Sequence, residues 1–378
     1  MRILHTADLH LGRQFNGLSL EADQQDALDQ VLAAIHAHGP ELLIVAGDVF
    51  DRAQPPASAQ RQFNDFLRRV AATKTAVAII SGNHDGPDRI EAMAAFTDPA
   101  RALIRGAATA EEPPMLLHDA HGPVAVSALP FVYEHAAREA LGDPSIATPH
   151  DVIAAQMAAA RRAVPEGARH VVVAHAFVAG GAAGETERPL AVGGIETVDA
   201  AAFDGAHYVA LGHLHRPQHV TAPHIRYSGA PLAFGFDEAG AAKSMSLVEL
   251  GPEGVARIEE LPFTPLRAVR LLRGTMAELL ALPQSDDIVA AELTDDAPPV
   301  DPMRRLREVF PNACRLTHLR SLRAPEAKSA LAAPERPADP MEVLGGFLET
   351  VRGIGPDARE TELLARALGA LKRKEDEA

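Results

Sequence analysis

The feature that most constrains the fold is an alternation of short apolar runs with helical patterns, which continues to about residue 260. Residues 41–47 (ELLIVAG) form an apolar run that stops at a glycine, as a buried strand does before a turn, and residues 75–80 form another. Residues 21–38 and 58–72 instead carry apolar side chains at helical spacing. This alternation predicts crossover connections and sheets whose faces are covered by helices.

The second half of this region is richer in strands than in helices. Apolar runs typical of strands lie at residues 124–129, 170–175, 207–211, 225–228 and 246–250. A layered α/β sandwich therefore fits the pattern better than a uniformly doubly wound parallel sheet.

The chain changes character after about residue 262. Residues 263–325 predict a small α+β unit with alternating strands and helices, and they hold nine arginines. Residues 326–340 are rich in alanine and proline, which is typical of an extended linker. In residues 341–378, two sets of apolar side chains fall on helical faces, namely Met341, Leu344, Leu348 and Val351, and Leu364, Leu368 and Leu371. We therefore predict four parts, namely a main domain (1–262), a cap (263–325), a linker (326–340) and a helical tail (341–378).

Composition narrows the class of protein. The chain has 378 residues, of which 47% are hydrophobic, so it can bury a sizeable core. A net charge of -15 argues against a protein that coats nucleic acid through bulk charge, although a local basic patch remains compatible with it. The single cysteine, Cys314, excludes an internal disulfide and thiolate-rich zinc sites. Because we find neither a secretory signal nor a transmembrane pattern, we expect a cytoplasmic protein.

Residue types that bind metals follow five of the predicted strands, at the point where each strand ends. They are Asp8, His10, Asp48, Asn83, His175, His213 and His215. The carboxyl ends of parallel strands share one edge of a sheet, so residues more than 200 positions apart can meet there. Each motif alone is weak evidence, since a single histidine after an apolar run is usually a packed core residue. All five in this order predict one pocket.

The donor types indicate which ions this pocket would hold. Imidazole and carboxylate suit Mn²⁺, Fe²⁺ or Zn²⁺, whereas calcium prefers oxygen alone. Two ions about 3.5–4 Å apart need a shared carboxylate and can then clamp both oxygens of an in-line displacement. We assign Asp48 to the shared position, Asp8, His10 and His215 to one ion, and Asn83, His175 and His213 to the other.

The order Asp-x-His, Gly-Asp-x-x-Asp, Gly-Asn-His-Asp, His, Gly-His-x-His resembles the calcineurin-like metallophosphoesterase superfamily. More narrowly, MRILHTADLHLG, VAGDVFDRAQPP, SGNHD, GHLHRPQ and YSGAPLAFGFDEA are similar to the SbcD family, the nuclease subunits of bacterial SbcCD complexes. This likeness extends to about residue 250, and beyond residue 265 only the layout matches. It implies a layered α/β/β/α metallophosphoesterase sandwich with a small α+β cap domain and a helical C-terminal tail.

The resemblance also implies a function, namely a metal-dependent DNA exonuclease and endonuclease with manganese as the usual ion. It supports the seven assigned ligands and implies that His84 protonates the leaving group or steadies the scissile phosphate. Asp51 would then orient His84 through its carboxylate. The alternative is that Asp51 is a helix-cap or turn residue ahead of Pro55 and Pro56. The family further implies a homodimer that works with an SbcC-type ATPase, with the cap holding DNA and the tail docked on the base of the ATPase coiled coil. The alternative is that the apolar faces of the tail pack back on their own domain.

Several residues have two readings. Arg52 is either a phosphate contact or an ordinary surface arginine. Leu9 stands where many relatives carry tryptophan, and with 4% aromatic residues we expect few base-stacking platforms. The cap arginines either contact the DNA backbone or form a solvated face balanced by eight nearby carboxylates; they are Arg267, Arg270, Arg273, Arg304, Arg305, Arg307, Arg315, Arg320 and Arg323.

Two other functions stay open at this point. The first is a stand-alone phosphodiesterase for small phosphoesters, which would need neither a cap nor an amphipathic tail. The second is a non-catalytic scaffold that keeps the fold, which the complete ligand set argues against.

Overall fold

The computed structural model describes residues 1–187, 197–319 and 339–376. The chain divides into two compact units, Met1–Val269 and Arg270–Ala378. None of the helices within the described ranges combines the length and apolar character that a membrane span requires.

A first sheet of the larger unit has six strands among the described residues. In spatial order they are β14 (Gly254–Pro262), β13 (Ser244–Gly251), β1 (Arg2–Thr6), β4 (Leu42–Ala46), β5 (Ala76–Ile80) and β6 (Ala102–Arg105). Strands β1, β4, β5 and β6 run parallel, while β13 and β14 are antiparallel to their neighbours. The carboxyl ends of the four parallel strands therefore lie at one edge.

A second sheet has six strands in the same described part of the chain. In spatial order they are β11 (Gln218–Val220), β12 (Ala222–Tyr227), β10 (Tyr208–Gly212), β9 (Arg169–His175), β8 (Gly122–Leu129) and β7 (Met115–Asp119). Strands β8, β9, β10 and β12 are parallel, and β7 and β11 are antiparallel outer strands.

Helices lie between the parallel strands, as the crossover pattern predicts. They are α1 (Glu21–His38), α2 (Ala57–Ala71), α3 (Pro87–Glu91), α4 (Glu134–Leu141) and α5 (Pro149–Ala163), and a short hairpin of β2 (Gln14–Phe15) and β3 (Leu18–Ser19) precedes α1. The bounds of α1 are those predicted, whereas α5 was missed. Thr148 and Asp151 form a capping box at the start of α5.

The two sheets pack face to face. One buried core cluster draws alternate residues from both sheets, including Leu42 and Ile44 of β4 and Val171 and Val173 of β9. A second cluster packs α5 against the outer face of the second sheet. The outer face of the first sheet is buried as well, with Leu43 fully covered, and α1 and α2 each bury an apolar stripe. The predicted layered α/β/β/α sandwich is confirmed.

The smaller unit contains a three-stranded sheet among its described residues. Its strands are β15 (Val269–Gly274), β16 (Ile288–Leu293) and β17 (Ala313–His318), and α6 (Met276–Leu280) and α7 (Pro302–Val309) pack on them around one apolar core. The predicted helical tail is present as α8 (Pro340–Arg352) and α9 (Ala358–Asp376). Arg320, Arg323 and all but the last two residues of the predicted linker 326–340 lie outside the described residues. The four-part domain division stays a prediction.

Candidate metal centre

All seven predicted ligands lie in the loops or strand ends at the carboxyl edge of the two sheets. Asp8 and His10 follow β1, Asp48 follows β4 and Asn83 follows β5. On the second sheet, His175 is the last residue of β9, and His213 and His215 follow β10. Ligand atoms of Asp8, His10 and His215, and those of Asp8, Asp48 and His175, lie within 4.8 Å of one another. The structure therefore brings residues from both sheets into one cluster.

The main chain is strained where these side chains are presented. Asp8, His10, Asp48 and His213 have φ values of 55°, 43°, 48° and 108°. Non-glycine residues rarely adopt positive φ, because the Cβ atom crowds the neighbouring carbonyl, and such strain persists only where the surrounding structure imposes it. Here the Asp8 N–H donates to the Gly47 carbonyl at 3.1 Å, and the His10 N–H donates to the Asp48 carbonyl at 3.0 Å.

Three glycines make room for the cluster. A Cβ at Gly47 would lie 2.3 Å from Nδ1 of His175, and one at Gly82 would lie 2.2 Å from Oδ1 of Asp48. A Cβ at Gly212 would lie 1.9 Å from the carbonyl oxygen of Ala46. These distances are far below van der Waals contact, so glycine at the strand ends is a requirement of the site as well as a turn signal.

Lone-pair atoms converge on the centre of the cluster. Oδ2 of Asp48 lies 3.6 Å from Nε2 of both His10 and His175, which supports Asp48 as the shared ligand. Nε2 of His10 lies 3.2 Å from Nε2 of His215. Oδ1 of Asn83 lies 2.9 Å from Nε2 of His175. Acceptor atoms facing one another in this way, with few donors between them, fit divalent cations.

Hydrogen bonds select the imidazole tautomers. Nδ1 of His175 donates to the carbonyl oxygen of Ala46 at 2.9 Å, which leaves Nε2 as the free lone pair. Nδ1 of His215 lies 3.0 Å from the Thr186 hydroxyl, which itself donates to Glu238 at 3.0 Å. Such outer contacts fix the ring plane and direct Nε2 toward a metal.

Burial and charge shape the protonation of the cluster. Burial raises the pKa of Asp8 well above its usual range, and the neighbouring Asp48 carboxylate raises it further. Burial likewise lowers the pKa of His10 and of His213 well below the usual value, so these imidazoles stay neutral and keep a lone pair. Two buried acidic groups beside neutral imidazoles form a desolvated pocket in which a bound cation would stabilise both carboxylates.

His84 lies beside the cluster, and its ring centroid is 4.7 Å from that of His10. Nδ1 of the His84 ring donates to the backbone carbonyl of Asp51 at 2.8 Å, and the backbone N–H of His84 donates to Oδ1 of Asp48 at 2.8 Å. The orienting contact thus comes from the main chain of Asp51. The Asp51 carboxylate instead lies 3.3 Å from Nη1 of Arg13, because the Asp51 side chain points back toward the loop after β1.

The structure also gives the positions of Arg52 and Leu9, whose roles the sequence left open. The Arg52 side chain is 66% exposed and lies 3.6 Å from the Asp51 carboxylate, so the structure is compatible with both of its readings. Leu9 is 2% exposed and packs in the core, which removes it as a stacking surface.

Two supporting carboxylates were missed from the sequence. Asp85 accepts hydrogen bonds from the N–H groups of Val49, Phe50 and Gly82, and so joins the loop that carries Asp48 to the loop that carries Asn83. Burial, with the Asp48 charge, raises the pKa of Asp85 to about 7. Its place as the last residue of SGNHD was the available signal.

Glu238 supports His215 from the other side. It pairs with the buried Lys243, whose ammonium also donates to the carbonyl of His215 at 2.9 Å. Burial alone would raise the pKa of Glu238, but its contacts with His215 and Lys243 lower it to about 2. Its presence in the FGFDEA segment was the sequence signal.

Comparison with known proteins gives two family matches. Residues 1–217 match the calcineurin-like phosphoesterase family. Residues 262–352 match the SbcD C-terminal family, described as the type 5 capsule protein repressor C-terminal domain. Solved structures that match this chain include TT1561 of Thermus thermophilus, with 13% identity, a TM-score of 0.41, and coverage of 70% of this chain and 99% of that chain. Another is GAP50, the anchor in the inner membrane complex of Plasmodium, with 10% identity, a TM-score of 0.35, and coverage of 84% and 96%.

Proposed function

Because the chain belongs to the calcineurin-like phosphoesterase family and carries an SbcD-type C-terminal domain, we propose that it is a metal-dependent DNA exonuclease and endonuclease. A metal-dependent phosphoesterase is what the family alone supports. The observation that carries the proposal is the position of Oδ2 of Asp48, 3.6 Å from Nε2 of both His10 and His175. One carboxylate facing two sets of neutral donors is the arrangement that a two-metal hydrolase requires.

In this proposal the seven donors hold two divalent ions, of which Mn²⁺ is the expected one. Asp8, His10 and His215 would hold one ion, Asn83, His175 and His213 would hold the other, and Asp48 would serve both. Such ions supply Lewis-acid activation of water and neutralise charge on the phosphate.

His84 holds the proton that the departing oxygen needs. Because Nδ1 is tied to the Asp51 carbonyl, Nε2 is the nitrogen that can carry and release this proton. The Asp51 carboxylate and Arg13 position the loop around His10, and Arg13 also lies over the ring of Phe234 at 4.7 Å. Phe234 packs edge-on against His10, with ring centroids 5.0 Å apart, and so limits solvent access on that side.

The proposed substrate is DNA, and the proposed partner is an SbcC-type ATPase. On α8, Val343, Phe347 and Val351 are 56%, 61% and 47% exposed, as a helix that docks in a partner's groove would require. We expect Phe347→Glu to abolish binding to the base of the ATPase coiled coil, measured by size-exclusion chromatography, whereas Leu116→Glu on β7 should leave it intact. We also propose that the chain forms a homodimer within a heterotetramer with the ATPase, and that it is located in the cytoplasm.

Several cap arginines already have protein partners. Arg267 pairs with Asp23, Arg270 with Asp287, and Arg304 with Asp301 and Glu308. Arg273 is exposed, which makes it the better candidate for a contact with the DNA backbone.

The proposal is tested by comparing DNA with a small chromogenic phosphodiester as substrates. With Mn²⁺ we expect cleavage of end-labelled single-stranded and hairpin DNA, and loss of cleavage with a chelator. His84→Ala should lower the rate about 10²–10⁴-fold, whereas His36→Ala, on the exposed side of α1, should not. Hydrolysis of bis-p-nitrophenyl phosphate without cleavage of DNA would instead support the small-phosphoester alternative. Full nuclease activity in His84→Ala would contradict the assigned role of His84.

A further inference from the structure

An aromatic ladder, formed by the rings of Phe131, Tyr133 and His135, extends from the metal centre to the surface. The Phe131 ring lies 6.4 Å from the ring of His175 and 4.9 Å from that of Tyr133. The rings of Tyr133 and His135 are stacked, with centroids 6.0 Å apart and an interplanar angle of 18°. His175 is buried, Phe131 is half-buried, and Tyr133 is 46% exposed.

The ladder is held firmly beside the metal centre. The Phe131 N–H donates to the carbonyl of Ser81 at 3.1 Å, and Ser81 lies two residues before Asn83. The carbonyl of Tyr133 accepts hydrogen bonds from the N–H groups of Ala136 and Ala137, which lie in the first turn of α4. Since the main chain on both sides of the Tyr133 ring is fixed, a ligand that stacks there loses little entropy in ordering the platform.

Core packing does not account for the exposed ring. The other two tyrosines of the chain, Tyr208 and Tyr227, are fully buried. Within the described part of Met1–Val269, the exposed large apolar side chains are Leu116, Tyr133 and Leu266. Of these, Tyr133 alone is aromatic, and it alone connects through another ring to a predicted metal ligand.

We propose that Tyr133 is the stacking platform for a nucleobase that flanks the scissile phosphate of a single DNA strand. Every base offers a flat π surface, so stacking suits a nuclease that must accept any sequence. Glu134, the next residue along the chain, is acidic and would disfavour a phosphate near Tyr133, so we expect the uncharged base to be the part of the nucleotide that binds here. The proposal rests on the proposed nuclease function and adds the residue that positions the strand.

The first test is a set of variants assayed on single-stranded DNA at saturating Mn²⁺. We expect Tyr133→Ala to raise KM about 5- to 100-fold and to change kcat less. Tyr133→Phe keeps the ring and should stay close to the wild-type KM, whereas Tyr133→Leu keeps an apolar surface without a ring and should resemble Tyr133→Ala. The matched control is Leu116→Ala, which removes a side chain of similar exposure (45%) on β7. Bound Mn²⁺ equal to wild type verifies that each variant keeps its metal centre.

The second test removes the base instead of the ring. In an oligonucleotide with an abasic analogue at each position in turn, one position beside the cut should raise the wild-type KM as much as Tyr133→Ala does. The same analogue should add nothing in Tyr133→Ala, because contacts that share one interaction are not additive. An unchanged KM in Tyr133→Ala, or equal abasic penalties in both proteins, would overturn the proposal. Failure of the wild type to cut DNA would instead count against the nuclease function itself.

Discussion

Nδ1 of His84 lies 2.8 Å from the backbone carbonyl oxygen of Asp51, so the orientation of this imidazole is set by the main chain. The carboxylate of Asp51 lies 3.7 Å from Nδ1 of His10 and 3.3 Å from Arg13. A substitution of the Asp51 side chain leaves this backbone carbonyl acceptor in place. In the proposed mechanism the two residues therefore have separate roles: His84 moves a proton, and the Asp51 carboxylate steadies the loop that carries His10.

This separation predicts different losses for two variants. We expect His84→Ala to lower kcat on DNA about 10²–10⁴-fold, because it removes the proton donor. Asp51→Asn should keep kcat within about tenfold at saturating Mn²⁺ and weaken Mn²⁺ binding about 10- to 100-fold, because it loosens the setting of His10. Steady-state rates across a Mn²⁺ titration measure both effects. Equal losses of kcat in the two variants would show that the Asp51 side chain, and not its carbonyl, orients His84.

A second prediction concerns Gly212. A Cβ there would lie 1.9 Å from the Ala46 carbonyl oxygen and 2.9 Å from Nδ1 of His175, the two atoms that form the hydrogen bond orienting this ring. We expect Gly212→Ala to lower the free energy of unfolding by about 1–3 kcal/mol or more and to weaken metal binding. Gly346→Ala, where a Cβ meets nothing within 4 Å, is the matched control and should be neutral or slightly stabilising. Chemical denaturation and metal analysis on both variants give the answer.

The proposed sharing of Asp48 by two ions predicts how many ions are lost when a ligand is changed. We expect Asp48→Asn to lose both ions, and His215→Asn to keep the ion held by Asn83, His175 and His213. Elemental analysis after gel filtration would then find close to none and close to one ion per chain. Mn²⁺ should also raise the Tm of the wild type by binding only the folded state, and this rise should vanish in Asp48→Asn. One ion retained in Asp48→Asn would show that this carboxylate is not shared.

Much of the site could be predicted because its donors stand where the hydrophobic pattern breaks. Strands such as β4 and β5 are apolar runs that end at Gly47 or just before Gly82, and parallel strand ends share an edge. That reasoning predicts which residue types form the site and that they lie near one another. It does not predict the backbone conformation, since the positive φ of Asp8 or Asp48 follows from contacts between loops that are distant in sequence.

The missed elements have physical reasons as well. Helix α5 is rich in alanine, which occurs on its buried side (Ala160) as well as on its exposed side (Ala158), so its apolar stripe is hard to recognise from the sequence. Strand β14 is partly exposed along its length and lacks a clear apolar run. The aromatic ladder was missed because the aromatic content is an average over the whole chain, whereas stacking depends on the positions of three particular rings.

A last prediction concerns acid stability away from the metal centre. Arg169 is buried and donates two hydrogen bonds to Asp119, with Nη1 to Oδ2 at 3.0 Å and Nη2 to Oδ1 at 2.5 Å. These bonds hold the pKa of Asp119 well below its usual range. A carboxyl whose pKa is lower in the folded state stabilises the fold above its unfolded pKa, about 4, and this stabilisation is lost as the pH falls through the folded pKa.

Asp119→Asn should therefore lower the free energy of unfolding by about 1–3 kcal/mol at pH 7, because it leaves the buried Arg169 charge without its partner. The difference from wild type should shrink as the pH falls below about 4, since the wild-type carboxyl is then protonated more readily in the unfolded chain than in the folded one. Urea denaturation at several pH values between about 2 and 7 measures this difference. The control is Asp65→Asn, which removes an exposed pair with Arg68 and should cost less than about 0.5 kcal/mol at every pH. A difference between Asp119→Asn and wild type that stays constant with pH would mean that the pair stabilises the fold through packing and not through charge.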